Sequence, residues 1–178
     1  MVNRRNWIET DIDKQLLRLT ADCIEDEECV AQVFQVLINF SLDKTWCKRL
    51  VDLNVSRRVF EYLMHNVKPS SNSIRTANAA IVKVKHTEEG GDFEVYEIKS
   101  GQANSIQAAV MLLSNVSNTD FGQQHILGVD LKTRGSILEN LVGMFVYFRT
   151  SEMFDFVANI LSNVSSLKEG RCWMIENT

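Results

Sequence analysis

A five-residue pattern, Leu-x-Asn-apolar-Ser, occurs three times in this chain, each time at the end of an apolar run about as long as one helix. The copies span residues 37–41, 113–117 and 161–165, and their asparagines are 76 and 48 positions apart. The shorter spacing lies near the period of about 40–47 residues found in armadillo and HEAT repeats. A repeated helix ending restricts the fold to stacked helical units, a class whose members bind other proteins along one surface.

The composition supports long helices. A chain of 178 residues fits one compact array, and it contains only one proline and eight glycines to interrupt its elements. We therefore predict an all-α, armadillo/HEAT-like right-handed α-solenoid over residues 1–178. Its first helical units occupy 1–66, a linker follows at 67–104, and further helical units occupy 105–178.

One segment departs from helical periodicity, near 81–98. Residues Ile81–Lys85 and Phe93–Ile98 alternate between apolar and polar side chains, and Glu88–Asp92 between them has the composition of a turn. This pattern predicts a small β-hairpin, which would need a helix or a partner to lean on. The alternative is a mobile polar loop, and the sequence does not separate the two.

Several helix starts can be predicted from capping patterns. Thr10 is the expected cap of the first helix, with the carboxylate of Asp13 reaching back to it, and Asp43 is the expected cap of a short helix that carries an inward-facing Trp46. Ser-x-x-Glu capping boxes begin at Ser136 and Ser166.

Charge and motifs exclude several functions. The net charge is −4, and the basic residues form isolated pairs, so nucleic acid is not an expected partner. The acidic cluster at 22–28 either complements the start of the next helix or contacts a basic partner, and we favour the first interpretation. No apolar run is long enough for a membrane span, and no catalytic, phosphate-loop or metal-ligand motif occurs. We expect no enzyme activity, no cofactor and no metal.

The cysteines and the N-terminus bear on localisation. Cys23, Cys29, Cys47 and Cys172 are scattered without C-x-x-C spacing, which favours a reducing compartment. The first residues show no secretory signal. We therefore expect a cytoplasmic protein that could also enter the nucleus, and we interpret its Asn-x-Ser sequons as structural.

Within the repeated pattern, residues 6, 3 and 2 before Asn and 1 after it are apolar in every copy, so we place them in the core of the stack. The asparagines, Asn39, Asn115 and Asn163, lie beside this stripe. Their amides could hold the following turn, or they could form a ladder that grips an extended peptide. Short polar side chains near helix ends more often serve local turns, so we favour the first interpretation.

Three segments resemble a known family. Residues 108–117, 154–171 and 37–51 are similar to the armadillo units of the eukaryotic Hgh family, and the continuation Glu169-Gly170-Arg171 is the most specific part. The resemblance implies a chaperone or adaptor that binds translation elongation factor 2 and presents it to the TRiC/CCT chaperonin. It adds Arg171 to the three asparagines as candidate protein-binding residues.

Two departures accompany the resemblance: the segment at 81–98 has no counterpart, and the further repeats of the family are not present, so the chain resembles the front part of a longer array. The alternative function is a generic armadillo scaffold that binds an extended peptide on its concave face. An enzyme is the third class, and it would require a cleft with perturbed titratable groups.

Overall fold

The computed structural model of the protein describes residues 10–70, 95–98, 102–128, 135–147 and 152–177, and these residues form nine α-helices and two short strands. The helices are α1 (Ile12–Asp22), α2 (Glu27–Ser41), α3 (Lys44–Asp52), α4 (Val55–Asn66), α5 (Ala103–Ser117), α6 (Asp120–Leu127), α7 (Ser136–Tyr147), α8 (Glu152–Val164) and α9 (Lys168–Asn177). The strands are β1 (Val67–Ser70) and β2 (Val95–Ile98). The predicted helical class is confirmed for these residues.

The three helices that end in the repeated pattern lie side by side in chain order. Helix α5 packs between α2 and α8, while α3 packs against α6. Ten of the twelve positions predicted for the core are buried. The exceptions are Val36, which is 37% exposed, and Leu161, which is partly buried. The predicted core stripe is therefore correct, apart from one position at each end of the stack.

The starts of α2 and α3 have the acidic side chains that the sequence predicted there. Asp43 accepts hydrogen bonds from the backbone N–H groups of Thr45 and Trp46, as expected of a cap. Asp26 accepts one from the N–H of Cys29, and the acids after it occupy the first turn of α2. The interpretation of the acidic cluster as a helix start is confirmed for these residues.

The prediction for the first helix was wrong. Asp11 occupies the cap position of α1, with a left-handed backbone (φ 51°), instead of Thr10. Asp13 does not reach back to a cap, because its fully buried carboxylate pairs with Arg49 on α3. A contact between residues 36 positions apart cannot be read from local capping patterns.

The second capping box also forms differently. Helix α9 begins at Lys168, and the carbonyl of Leu167 accepts the N–H of Arg171, so Leu167 stands at the cap position. The hydroxyl of Ser166 donates to Gln123 Oε1 at 2.9 Å. Ser166 is thus bonded to a neighbouring helix and does not cap its own. At the first box, α7 begins at Ser136, where we expected a helix start.

The strands form an antiparallel ribbon in which Val67 is opposite Ile98 and Ser70 is opposite Val95. Strand β2 lies within the predicted second hairpin strand, but its partner is β1, directly after α4, where we predicted a polar linker. Val67 is buried, which anchors the ribbon on the helical core. The other predicted strand, Ile81–Lys85, lies outside the described residues.

None of the helices in the described part of the chain is long and apolar enough to cross a membrane.

Candidate protein-binding site at the helix corners

Each copy of the repeated pattern ends in the same turn, which we call a corner. The carbonyl of its apolar residue accepts the backbone N–H three residues later, at 3.1 Å from Asp43 to Phe40, 3.2 Å from Thr119 to Val116 and 3.1 Å from Leu167 to Val164. The next helix starts at once. The first corner comprises residues 41–46, the second 117–122 and the third 165–170.

The serine of the pattern is held within its own helix. The hydroxyl of Ser41 donates to the carbonyl of Ile38 at 2.6 Å, that of Ser117 to Ser114 at 2.7 Å, and that of Ser165 to Ser162 at 2.6 Å. Since the single proton is used inside the helix, the hydroxyl oxygen still has lone pairs available to accept a bond from elsewhere.

The asparagine of the next copy supplies that bond. Asn115 Nδ2 donates to Ser41 Oγ at 3.1 Å, and Asn163 Nδ2 donates to Ser117 Oγ at 2.9 Å. Asn163 Nδ2 also lies 2.9 Å from Asn118 Oδ1, in the second corner. Each asparagine therefore braces the corner of the preceding copy, where we had expected it to hold its own following turn. The stacking of α2, α5 and α8 brings the amide to that neighbour.

Asn39 has no such role among the described residues. Its side chain is exposed, and it makes no hydrogen bond to another described residue. It belongs to the first copy, which has no preceding corner in the described part of the chain. The structure thus places Asn115 and Asn163 in the brace and leaves Asn39 on the surface.

Arg171, the fourth candidate, also holds a corner. It is exposed, and its Nη1 lies 2.8 Å from the carbonyl oxygens of both Ser165 and Ser166. Gln123 has the equivalent position one copy earlier and donates to the carbonyl of Ser117 at 3.0 Å. Both residues bond carbonyl oxygens at the end of the helix that precedes their own.

Sequence reasoning missed Gln123 and Asn159. Gln123 lies eight residues after Asn115, as Arg171 does after Asn163, so aligning the copies would have found it. Asn159 Nδ2 donates to Ser114 Oγ at 2.8 Å and adds a second bond between α8 and α5. No spacing in the sequence marks Asn159.

Between the first and second corners lies an open groove of about 390 Å³. It is lined by Ser41, Leu42, Lys44, Asn115, Asn118, Thr119, Asp120 and Phe121. Leu42 is 72% exposed, and Lys44 and Asp120 carry opposite charges. The groove therefore offers an apolar contact, amide groups and both signs of charge, a mixture suited to a polypeptide. Of the four predicted residues, only Asn115 lines it.

Two cysteine thiols among the described residues have raised pKa values. Burial raises the pKa of the Cys47 thiol, and a hydrogen bond with Cys23, together with burial, raises the pKa of Cys29. Both shifts oppose thiolate formation. The described residues contain no group of three or more His, Cys, Asp or Glu side chains placed to hold a metal ion.

Burial lowers the pKa of His125 below its ordinary value of 6.5, while the nearby charge of Asp52 acts in the opposite direction. Its Nε2 lies 3.1 Å from Asn54 Oδ1, while its Nδ1 is buried without a partner among the described residues. The neutral ring is therefore favoured in the folded state.

We predict that this histidine makes the fold less stable in acid. As pH falls below 6.5, the unfolded chain binds the proton first, so the free energy of unfolding should decrease toward pH 5. His125→Gln should flatten this part of the profile, measured by urea unfolding between about pH 5 and pH 8. An unchanged slope in the variant would assign the acid sensitivity to other groups.

The hydrogen bonds from Asn115 and Asn163 to the preceding corner, which we call the brace, predict that alanine substitutions at the three asparagines differ in their effect on stability. Asn163→Ala removes contacts with two acceptors and should lower the free energy of unfolding by about 2 kcal/mol, and Asn115→Ala by about 1 kcal/mol. Asn39→Ala, at the same position of the first copy, is the matched control and should change the free energy of unfolding by less than about 0.5 kcal/mol. Equal losses at all three positions in chemical unfolding would contradict the brace.

Comparison with known protein families gives a match. Residues 97–178 match the family described as domain of unknown function DUF383. Neither the curated proteins nor the solved structures provide a match. The matched segment begins within β2 and contains α5 to α9, with the second and third copies of the repeated pattern. This is therefore a helical protein that carries a DUF383 domain.

Proposed function

We propose that the protein is a non-enzymatic adaptor of the Hgh type, which binds translation elongation factor 2 and assists its folding with the TRiC/CCT chaperonin. The observation that carries the proposal is the corner repeated from copy to copy and braced by Asn115 and Asn163. A DUF383 match that contains residues 108–117 and 154–171, two of the three segments that resemble the Hgh family, fits this assignment.

We also propose that the fold is an armadillo-like right-handed α-solenoid, and the contacts between successive helices support its stacked arrangement. Each complete unit in this interpretation has a short helix, a second helix and a longer helix that ends in the pattern: α3, α4 and α5, then α6, α7 and α8. Equivalent helices contact each other across units, α2 with α5 and α5 with α8. Contact between successive equivalent helices is how solenoids bury their core.

The client test is recovery from eukaryotic cytosol. The immobilised full chain should enrich elongation factor 2 and chaperonin subunits, identified by mass spectrometry. Leu42→Glu, at the 72% exposed side chain in the groove, should lose this enrichment, whereas Ile175→Glu, at the 80% exposed side chain on α9, should retain it. Recovery of neither protein by the wild type would refute the proposed client.

A second candidate function is a scaffold that binds an extended peptide, and the groove favours it specifically. Peptide main chains present alternating donors and acceptors, which the amides of Asn115 and Asn118 can match. This function predicts that Leu42→Glu weakens binding of many unrelated extended peptides, measured by fluorescence anisotropy, with an unchanged melting temperature. Selectivity for elongation factor 2 over such peptides would favour the adaptor instead.

A further inference from the structure

The two ends of the α2–α5–α8 stack expose side chains that are buried in its middle. Three residues before the asparagine, Leu112 and Ile160 are fully buried, but Val36 on α2 is 37% exposed. Among the described residues, the second and third copies have a copy before them and the first does not. The residue three positions before the asparagine therefore lies on the side of its helix that faces the preceding copy. In the described part of the chain no preceding copy packs on that side of α2, which leaves Val36 partly exposed.

The opposite end shows the complementary pattern. Two residues before the asparagine, Leu37 and Leu113 are fully buried, whereas Leu161 on α8 is only partly buried. This side of each helix therefore faces the copy that follows it. Within the described residues no later copy follows α8.

The hydrogen-bonding groups at the two ends of the stack are also complementary, with a donor at the α2 end and acceptors at the α8 end. Asn39 is an exposed amide at the position from which Asn115 and Asn163 donate. Ser165 has the position of the acceptors Ser41 and Ser117, and the exposed Ser162 has the position of Ser114, which accepts from Asn159. One end thus presents a donor with an apolar contact, and the other presents acceptors with an apolar contact.

We propose that the α2 end of one copy of this chain packs on the α8 end of a second copy, head to tail. At the junction Asn39 donates to Ser165 of the second copy, as Asn115 donates to Ser41 within one chain. A second copy is the occupant because the chain itself carries both halves of a contact that it already makes internally twice. The two surfaces differ, so the association is heterologous and extends with concentration unless a ring closes.

Sedimentation velocity of the full chain tests the proposal, at concentrations from about 1 to about 300 μM, a range that reaches weak affinities. The average mass of the wild type should rise above the 20.3 kDa of one chain as concentration increases. Val36→Glu blocks the α2 end and Leu161→Glu blocks the α8 end, so each variant alone should remain monomeric.

The mixture of the two variants is the decisive experiment. The intact α2 end of Leu161→Glu can still pack on the intact α8 end of Val36→Glu, so the equimolar mixture should form dimers and nothing larger. If a charged variant fails to fold by circular dichroism, Asn39→Asp and Ser162→Glu block the same ends at exposed side chains. A wild type that stays monomeric, a mixture without dimers, or a single variant that dimerises would overturn the proposal.

Discussion

Gly122→Ala and Gly170→Ala are each expected to lower the free energy of unfolding by about 2–3 kcal/mol. A Cβ atom at Gly122 would lie 2.0 Å from the carbonyl oxygen of Val116, and one at Gly170 would lie 2.2 Å from that of Val164. Neither carbonyl can move away freely, because each accepts the backbone hydrogen bond that closes its corner. The substitution therefore forces the two helices of a corner apart.

The sign of the effect is diagnostic. Replacing glycine with alanine inside an unhindered helix stabilises it by about 1 kcal/mol, so propensity alone predicts the opposite result. In thermal unfolding we expect the melting temperature to fall by about 4–12 °C for each variant. Gln124→Ala, at an exposed position of α6, is the matched control and should leave it nearly unchanged. A rise in either glycine variant would mean that the corner can relax at little cost.

The two glycines also show how much of the fold can be predicted from the sequence. The repeated pattern, its core positions and the cap at Asp43 follow from local spacing, and the structure confirms them. Aligning the second and third copies places Gly122 on Gly170, each seven residues after its asparagine. The first copy has Trp46 there, stacked on Phe40 with ring centroids 4.5 Å apart. One corner is thus filled by a ring where the other two require close backbone approach.

What the sequence could not predict are the contacts between distant segments. The buried hydroxyl of Tyr62 lies 2.7 Å from both Gln102 Oε1 and Ser105 Oγ, about 40 residues further along the chain. The partner of strand β2 is likewise set by where α4 ends, since β1 follows it directly. In the candidate site, the asparagines were identifiable by pattern, but their serine partners depend on how the helices stack. Periodicity specifies which side of a helix is buried, not which neighbour covers it.

The second large effect concerns the ion pair between α1 and α3. The carboxylate of Asp13 is fully buried, while the side chain of Arg49 is 26% exposed. Arg49 Nε bonds Asp13 Oδ2, and Arg49 Nη2 lies 3.1 Å from Asp13 Oδ1 and 2.7 Å from Asp11 Oδ1. Arg49→Met would leave a buried charge without its partner, and it should cost about 3 kcal/mol in urea unfolding.

Removing the carboxylate instead of the arginine should lower the free energy of unfolding by a smaller amount. Asp13→Leu leaves an arginine that still reaches Asp11 and water, and Asp13→Leu with Arg49→Met removes both charges and should recover part of the loss. Arg57→Met is the control, since its pair with Glu61 is 76% and 44% exposed and should contribute less than about 1 kcal/mol. If Arg49→Met lowers the free energy of unfolding by no more than Arg57→Met does, the Asp13–Arg49 pair does not stabilise the packing of α1 on the other helices. If the double variant is less stable than Arg49→Met alone, the cost arises from packing around the side chains and not from an unpaired carboxylate.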